Sequence, residues 1–497
     1  MQNWTLMKKT FLFLFLLILL VPSNSFGYGE FTFSTIEFDD FFGHDVELIG
    51  DLDGDGVTDI AVGSPYDNDG GNSNGAVYIL FLNPDGTVKS HQKISSIEGN
   101  FREKLEPYDA FGRAIANIGD FNGDSVTDIA VGAYHDDDGG YNTGAVYILF
   151  LNPDGTVKSS QKISSIEGNF KGVIDSGDCW GNAITGLNDL DGDGITDIAV
   201  GAHKNYSPGT EMKRVGAVHI LFMNSDGTVK SSQEISDTQG NFGVIKNNDV
   251  FGIDLTKLDD LDGDGVTDIA VGAHGDSEYG FSMGAVYILF LNSDGTVKSH
   301  QKITANLSNL QKNLDDSDMF GSSVDNIGDL NNDNVIDIIV GAVGDDDTRE
   351  LPKLEFNNDK GSSNGAVYIL FLNPDGTVKS HQKISSIEGN FRENLESTDS
   401  FGFSSSKLND LDGDGITDIA VGSPYRNYYD NELSPLHILF LNSDGTVKSF
   451  KTIPEQTIIQ GNYDFVYYIG ILLFFVILSV LIVWKKFGKN KKQKISN

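Results

Sequence analysis

The passage GAVYILFLNPDGTVKSHQKISSIEGNFRE fills Gly75 to Glu103 and returns unchanged from Gly365 to Glu393, with weaker copies beginning at Gly144, Gly216 and Gly284. A catalytic constellation is needed once, whereas a unit used many times serves stacking, in which each copy buries against its neighbour a face it cannot bury alone. Six copies are laid out by acidic loops beginning at Asp51, Asp120, Asp189, Asp260, Asp329 and Asp410, at steps of 69, 69, 71, 69 and 81 residues.

Each copy supports four short strands. In the first, FGHDVELIG (Phe42 to Gly50) precedes the acidic loop, TDIAVGS (Thr58 to Ser64) follows it, and AVYILFLN (Ala76 to Asn83) and TVKSHQKIS (Thr87 to Ser95) complete the unit. The second and third are continuous apolar runs, the signature of strands covered on both faces, and the fourth alternates as an outer strand does. The tetrapeptide NPDG or NSDG between the third and fourth offers a glycine able to take positive φ in a hairpin. The unit therefore reads as an antiparallel meander with two apolar faces. Radial stacking of six such sheets, or seven if the terminal segments combine, gives an all-β β-propeller over residues 42–461 and leaves only short edges exposed. A β-sandwich array is the alternative, disfavoured because the inner strands lack a polar face. Residues 26–41, which contain FTFSTIEF, are expected to supply an extra closing strand.

Both ends carry address information. Lys8 and Lys9, then the apolar run Phe11 to Val21, then PSNS make residues 1–25 read as a secretory signal peptide, with an uncleaved anchor as the alternative. FVYYIGILLFFVILSVLIVW, residues 465–484, holds no charge over 20 residues and is long enough to cross the bilayer as a helix. The Lys-rich segment 485–497 behind it would lie in the cytoplasm, placing the repeats outside in a single-pass type I layout. Cleavage of this end as a sorting signal is a second possibility, although IPEQT at Ile453 departs from Leu-Pro-x-Thr-Gly.

The formal charge of -37 excludes nucleic acid as a partner, since a phosphate backbone is neutralised by clustered Lys and Arg. The single cysteine, Cys179, permits no intrachain disulfide and reads as a small buried hydrophobe.

The acidic loops read DLDGDGVTD at Asp51 and Asp260, DFNGDSVTD at Asp120, DLDGDGITD at Asp189 and Asp410, and DLNNDNVID at Asp329. A chain curling round a hard cation offers side-chain oxygens at positions 1, 3, 5 and 9 and a carbonyl at 7, as the first part of an EF-hand loop does. Oxygen-only donors on a flexible loop suit Ca2+ better than Mg2+, and carboxylates packed so closely would repel one another if left unpaired. Up to six calcium ions are expected, with dissociation constants of about 0.1–1 mM if these loops resemble other extracellular modules. The loops hold 22 of the 72 acidic residues, so six ions would bring the formal charge to about -25. Position 6 calls for left-handed backbone, free to Gly56, Gly194, Gly265 and Gly415 but costly to Ser125 and tolerable for Asn334. Asn122 and Asn331 also replace a charge, so the second site is expected to be weakest and the fifth next.

With Phe-Gly at Phe42, Phe111, Phe251, Phe320 and Phe401 (Trp180-Gly181 in the third copy), the acidic loop, and DIAVGA or DIAVGS before a second Gly-Ala, each unit resembles an FG-GAP repeat of the integrin α-chain type. The resemblance covers Phe42 to Ile453 and implies a propeller, seven-bladed in most of the family, with calcium in the loops of its lower face. Carried over, the ligands are Asp51, Asp53, Asp55, Asp59 and the Val57 carbonyl; Asp120, Asn122, Asp124, Asp128 and Val126; and Asp189, Asp191, Asp193, Asp197 and Ile195. In the last three copies they are Asp260, Asp262, Asp264, Asp268 and Val266; Asp329, Asn331, Asp333, Asp337 and Val335; and Asp410, Asp412, Asp414, Asp418 and Ile416. Integrin α chains have leg domains and disulfides and pair with a β chain; with no legs expected here and a single cysteine, short FG-GAP proteins of microbial surfaces read as a closer likeness.

The connections between second and third strands vary most: PYDNDGGNSN, HKNYSPGTEMKRV and the long segment 343–364. Variable loops on a rigid scaffold are where binding resides, so an extracellular protein or glycan ligand is expected on the face opposite the calcium loops. A propeller-based enzyme or lectin-like glycan binder is the alternative. No catalytic spacing supports an enzyme: each of the nine histidines reads as a solvated or capping side chain, and no Gly-x-Ser-x-Gly elbow occurs. Asn205 and Asn306 stand in glycosylation sequons.

Overall fold

The computed structural model describes residues 39–204, 215–305, 310, 314–346, 363–393, 395, 399–425 and 435–453. Within them the chain forms six four-stranded antiparallel sheets, each from consecutive strands. Blade 1 contains β1 (Val46–Gly50), β2 (Asp59–Ser64), β3 (Ala76–Leu82) and β4 (Val88–Ile94), and blade 2 contains β5 (Phe111–Gly119), β6 (Asp128–Ala133), β7 (Ala145–Leu151) and β8 (Val157–Ser164). Blade 3 is β9 (Trp180–Gly186), β10 (Ile198–Ala202), β11 (Ala217–Met223) and β12 (Val229–Ile235), and blade 4 is β13 (Leu255–Lys257), β14 (Ile269–Ala273), β15 (Ala285–Leu291) and β16 (Val297–Ile303). Blade 5 is β17 (Phe320–Gly328), β18 (Asp337–Ala342), β19 (Ala366–Leu372) and β20 (Val378–Ile384), and blade 6 is β21 (Ser404–Asn409), β22 (Asp418–Gly422), β23 (Leu436–Leu441) and β24 (Val447–Ile453).

The period-two geometry of a strand explains why the middle strands are apolar throughout. In blade 1, Ala61, Val77, Ile79 and Phe81 pack towards blade 2, with Phe111, Ile115 and Tyr147. Their neighbours Ile60, Val62, Tyr78 and Leu80 pack the other way, with Leu408, Leu436 and Ile438 of blade 6. The core thus consists of inter-blade layers, and the blade 6–blade 1 layer makes the set a closed ring of six.

The Phe-Gly and Gly-Ala motifs meet where one blade hands over to the next. Phe111 N–H donates to the Asn74 carbonyl at 2.9 Å. A Cβ on Gly75 would lie 2.1 Å from the Phe111 carbonyl oxygen, and one on Gly112 would lie 2.3 Å from the Ala76 carbonyl oxygen, so only glycine admits this backbone-on-backbone approach.

The expected strand at 26–41 lies outside the described residues except for 39–41, which hold no strand. The apolar runs at 11–21 and 465–484, and both sequons, also lie outside them; among the described residues no helix is long and apolar enough to cross a membrane. Cys179 is buried beside Ala110 and Tyr134. Four of the nine histidines expected to be solvated or capping, His44, His203, His219 and His437, are buried, while the other five are partly or fully exposed. His44, at the mouth of the ring, is kept neutral by burial and by Arg113, whose Nη1 lies 3.0 Å from its Nδ1.

Candidate metal-binding loops

Each acidic loop joins the first and second strands of its blade and is built by its own carboxylates. In blade 1, Asp51 accepts the N–H groups of Asp55 at 2.9 Å and Gly56 at 2.8 Å, folding the chain back over the first aspartate. Gly56 has φ of +90°, and Ser125 and Asn334 take φ of +69° and +65° at the same place, as the turn requires. No atom lies within 4 Å of a Cβ built on Gly56, so conformation, not space, selects glycine there.

The position-9 aspartate is the anchor. Asp59 is buried, and its two oxygens accept from Leu52 N–H at 2.9 Å and Leu82 N–H at 3.1 Å, tying the loop to the end of the third strand. Asp128, Asp197, Asp268, Asp337 and Asp418 repeat this latch with Leu151, Met223, Leu291, Leu372 and Leu441. Burial pushes the position-9 carboxyls up, to about 6 in Asp59 and about 7 in Asp418, against the pull of these donors.

In four loops the carboxylates at positions 1, 3 and 9 bring oxygens within 4.8 Å of one another: Asp51, Asp53 and Asp59; Asp189, Asp191 and Asp197; Asp260, Asp262 and Asp268; Asp410, Asp412 and Asp418. This oxygen-only donor set fits a hard cation. Loops 2 and 5 carry Asn122 and Asn331 at position 3, and the Asn122 amide donates to Asp128 Oδ2 at 3.1 Å, turning an N–H2 group towards the anchor.

Position 5 does not join these triads. Asp55 accepts from Val57 N–H at 2.9 Å, and its other oxygen lies 2.6 Å from Lys89 Nζ, which is also 2.6 Å from Asp53. Lys158, Lys230, Lys298, Lys379 and Lys448 reach Asp124, Asp193, Asp264, Asp333 and Asp414 in the same way. Each lysine belongs to the TVKS or TVKSF start of a fourth strand, and its ammonium holds the position-5 carboxyl below its ordinary range, as at Asp55 and Asp333. These cations, which the hairpin returns to the loop, offset part of the carboxylate repulsion expected from the sequence.

A second set of buried charges escaped the sequence reading. Lys93 Nζ lies 2.7 Å from Asp67, both side chains 2% exposed, and Tyr78 Oη donates to Asp67 at 3.1 Å. Lys162–Asp136, Lys302–Asp276 and Lys383–Asp345 repeat the ion pair in blades 2, 4 and 5. Where the aspartate gives way to Asn205 or Arg426, the tyrosine becomes His219 or His437 and the lysine becomes Glu234 or Thr452. That joint change across repeats was the available signal.

The first strands surround an axial cavity of about 410 Å³ lined by Asp45, Glu47, Asp254 and Asp325 among others. These carboxylates stitch neighbouring blades: Asp45 accepts from Ile115 N–H at 2.6 Å, Asp254 from Val324 N–H at 2.8 Å, and Asp325 from Lys407 N–H at 2.9 Å. Burial raises Asp45 to about 7 and Asp254 to about 8.

The two ends of the ring differ in chemistry. Among the described residues the nine exposed large hydrophobic side chains, Tyr141 and Phe281 at 71% included, all lie in connections between second and third strands or between blades, and none in an acidic loop or an NPDG-type hairpin.

The FG-GAP repeat family matches residues 43–80, 111–149, 180–221, 251–289 and 401–439, which fall in every blade except the fifth. Integrin alpha-2 of Mus musculus is 36% identical over 156 residues, covering 31% of this chain and 12% of that protein. Integrin alpha-PS2 of Drosophila melanogaster is 33% identical over 171 residues (33% and 12%), and integrin alpha pat-2 of Caenorhabditis elegans is 27% identical over 266 residues (51% and 19%). The matched part thus spans 12–19% of the length of these relatives. A solved ancestral GH74 enzyme aligns with 80% of this chain and 59% of its own at 10% identity and a TM-score of 0.29, a likeness too slight to carry an argument.

Proposed function

Because the chain is an FG-GAP repeat protein resembling the N-terminal propeller of integrin α chains, we propose that it is a calcium-binding cell-surface module for adhesion or ligand recognition. Residues 465–484 anchor it in the membrane with the propeller outside and 485–497 inside. Calcium occupies up to six acidic loops through positions 1, 3 and 9, with further oxygens from position 5 and the position-7 carbonyl. A protein or glycan ligand binds the opposite face. Its supporting observation is the segregation of exposed apolar side chains, including Tyr108, Tyr141, Tyr279 and Phe281, away from the acidic loops. Exposed aromatic groups clustered on one end of a rigid scaffold are the usual anchors of a binding surface.

The test is binding of the full chain, with and without calcium, to immobilised extracellular-matrix proteins and to a glycan array. A ligand whose capture is lost in Tyr141→Ser/Phe281→Ser, at unchanged melting temperature, supports the reading. A ligand retained by that variant and lost when acidic-loop residues are changed places recognition on the other face and refutes it.

A further inference from the structure

We propose that the lysine near the start of each fourth strand is a built-in counter-ion that competes with calcium for the loop's own carboxylates and thereby lowers the loop's affinity for the ion. The proposal rests on the calcium reading above and concerns Lys89, Lys158, Lys230, Lys298, Lys379 and Lys448.

The geometry sets up a direct competition. Position 3 belongs to the metal-capable triad in four loops, and in those same loops the lysine ammonium touches its Oδ2, at 2.6 Å in Asp53 and 2.5 Å in Asp191, Asp262 and Asp412. The same ammonium takes an oxygen of position 5, the carboxylate that stands outside the triad. A cation drawing in positions 3 and 5 together must displace the ammonium or share its oxygens, and two like charges on one carboxylate oppose each other. The lysine side chains are 36–52% exposed, so a displaced ammonium has water to enter.

The competitor arrives by the fold, through a short hairpin. The NPDG or NSDG turn reverses the chain beside the loop, where Leu82 N–H is held by Asp59, and the lysine lies seven residues beyond that leucine. In loops 2 and 5, where position 3 is asparagine, Lys158 and Lys379 form their ion pair with the position-5 carboxylate. The four all-aspartate loops therefore carry both the stronger donor set and the stronger competitor, which narrows the spread of affinities around the ring. Without calcium the lysine also relieves carboxylate repulsion, so the loop keeps its shape.

The experiment compares the full chain with a variant carrying Lys→Met at all six positions, by calcium titration calorimetry and by melting in chelator. Methionine keeps the apolar stem and removes the charge. The variant is expected to bind calcium about three- to tenfold more tightly, the range for loss of one exposed, doubly paired cation. It should also melt lower in chelator and gain more on adding calcium than the parent does. Equal or weaker affinity in the variant, with the parent still binding, overturns the competition and leaves the calcium reading intact; no binding by either chain overturns both. Should the sixfold variant not fold, Lys298→Met is set against Lys104→Met, which removes equal charge beside Glu106, away from the loops. One site that fills about three- to tenfold earlier in the first and not in the second supports the proposal, and identical titrations overturn it.

Discussion

Ser404 Oγ donates to the Gly43 carbonyl at 2.9 Å, joining residues 361 positions apart across the seam where blade 6 meets blade 1. Leu48 N–H donates to Ser406 Oγ at 3.2 Å on the same seam. Both serines are buried, so their hydroxyls satisfy a carbonyl just ahead of β1 and an N–H within it. Ser404→Ala/Ser406→Ala is expected to cost about 2–3 kcal/mol, since each change leaves a buried backbone group unpaired. Urea unfolding checks it, and an unchanged midpoint would locate closure in the apolar layer alone.

The position-9 latch predicts a stability effect separate from any ion. Asp197 accepts from Leu190 N–H at 3.0 Å and Met223 N–H at 3.0 Å, and an amide in its place offers one acceptor for two donors. Asp197→Asn is expected to cost about 1–3 kcal/mol when measured in chelator. A loss seen only with calcium present would show that Asp197 serves the ion and not the fold.

The buried Lys93–Asp67 pair predicts a rescue. Lys93→Thr strands Asp67 without its cation and is expected to cost about 3–5 kcal/mol, as breaking a buried pair from one side does. Removing the charge and its hydrogen-bond partner together, Asp67→Asn with Tyr78→Phe and Lys93→Thr, should melt above the single variant, since no buried charge is then left unpaired. If the triple variant melts lower, the unpaired charge is not what destabilises the single variant.

The axial carboxylates predict a pH effect. Asp254 is raised by burial to about 8, and Asp45 adds to the shift, so folding favours its protonated form. Its contribution is fully present below the unfolded value near 4 and is lost as pH rises towards 8. Asp254→Asn cannot ionise, so the melting-temperature difference between variant and parent should move in the variant's favour by a few degrees between pH 6 and pH 8.5. Parallel curves would mean that Asp254 ionises as readily in the ring as in the unfolded chain.

The repeat period and the apolar middle strands made the fold legible, because a sheet with two apolar faces has few places to go. The acidic loops were legible for a different reason: Asp51, Gly56 and Asp59 build their turn from contacts within nine residues. Lys89 lies 36 positions from Asp53, and no local pattern announces that a hairpin will bring it back. The Lys93, Tyr78 and Asp67 cluster was hidden likewise, although Asn205, His219 and Glu234 changing together in blade 3 encode it. His44 and Arg113 meet where the neighbouring blades 1 and 2 face the axial cavity, and the repeat period carries no information about what lines that axis.

Calcium titration of the full chain, by equilibrium dialysis and by melting in matched buffers with the ion or with excess chelator, tests the metal reading most directly. The account predicts up to six ions per chain, with dissociation constants of about 0.1–1 mM. A higher melting temperature with calcium follows, since each site at ten times its dissociation constant adds about 1.4 kcal/mol. No uptake at about 10 mM calcium, with superimposable melting curves, would contradict it.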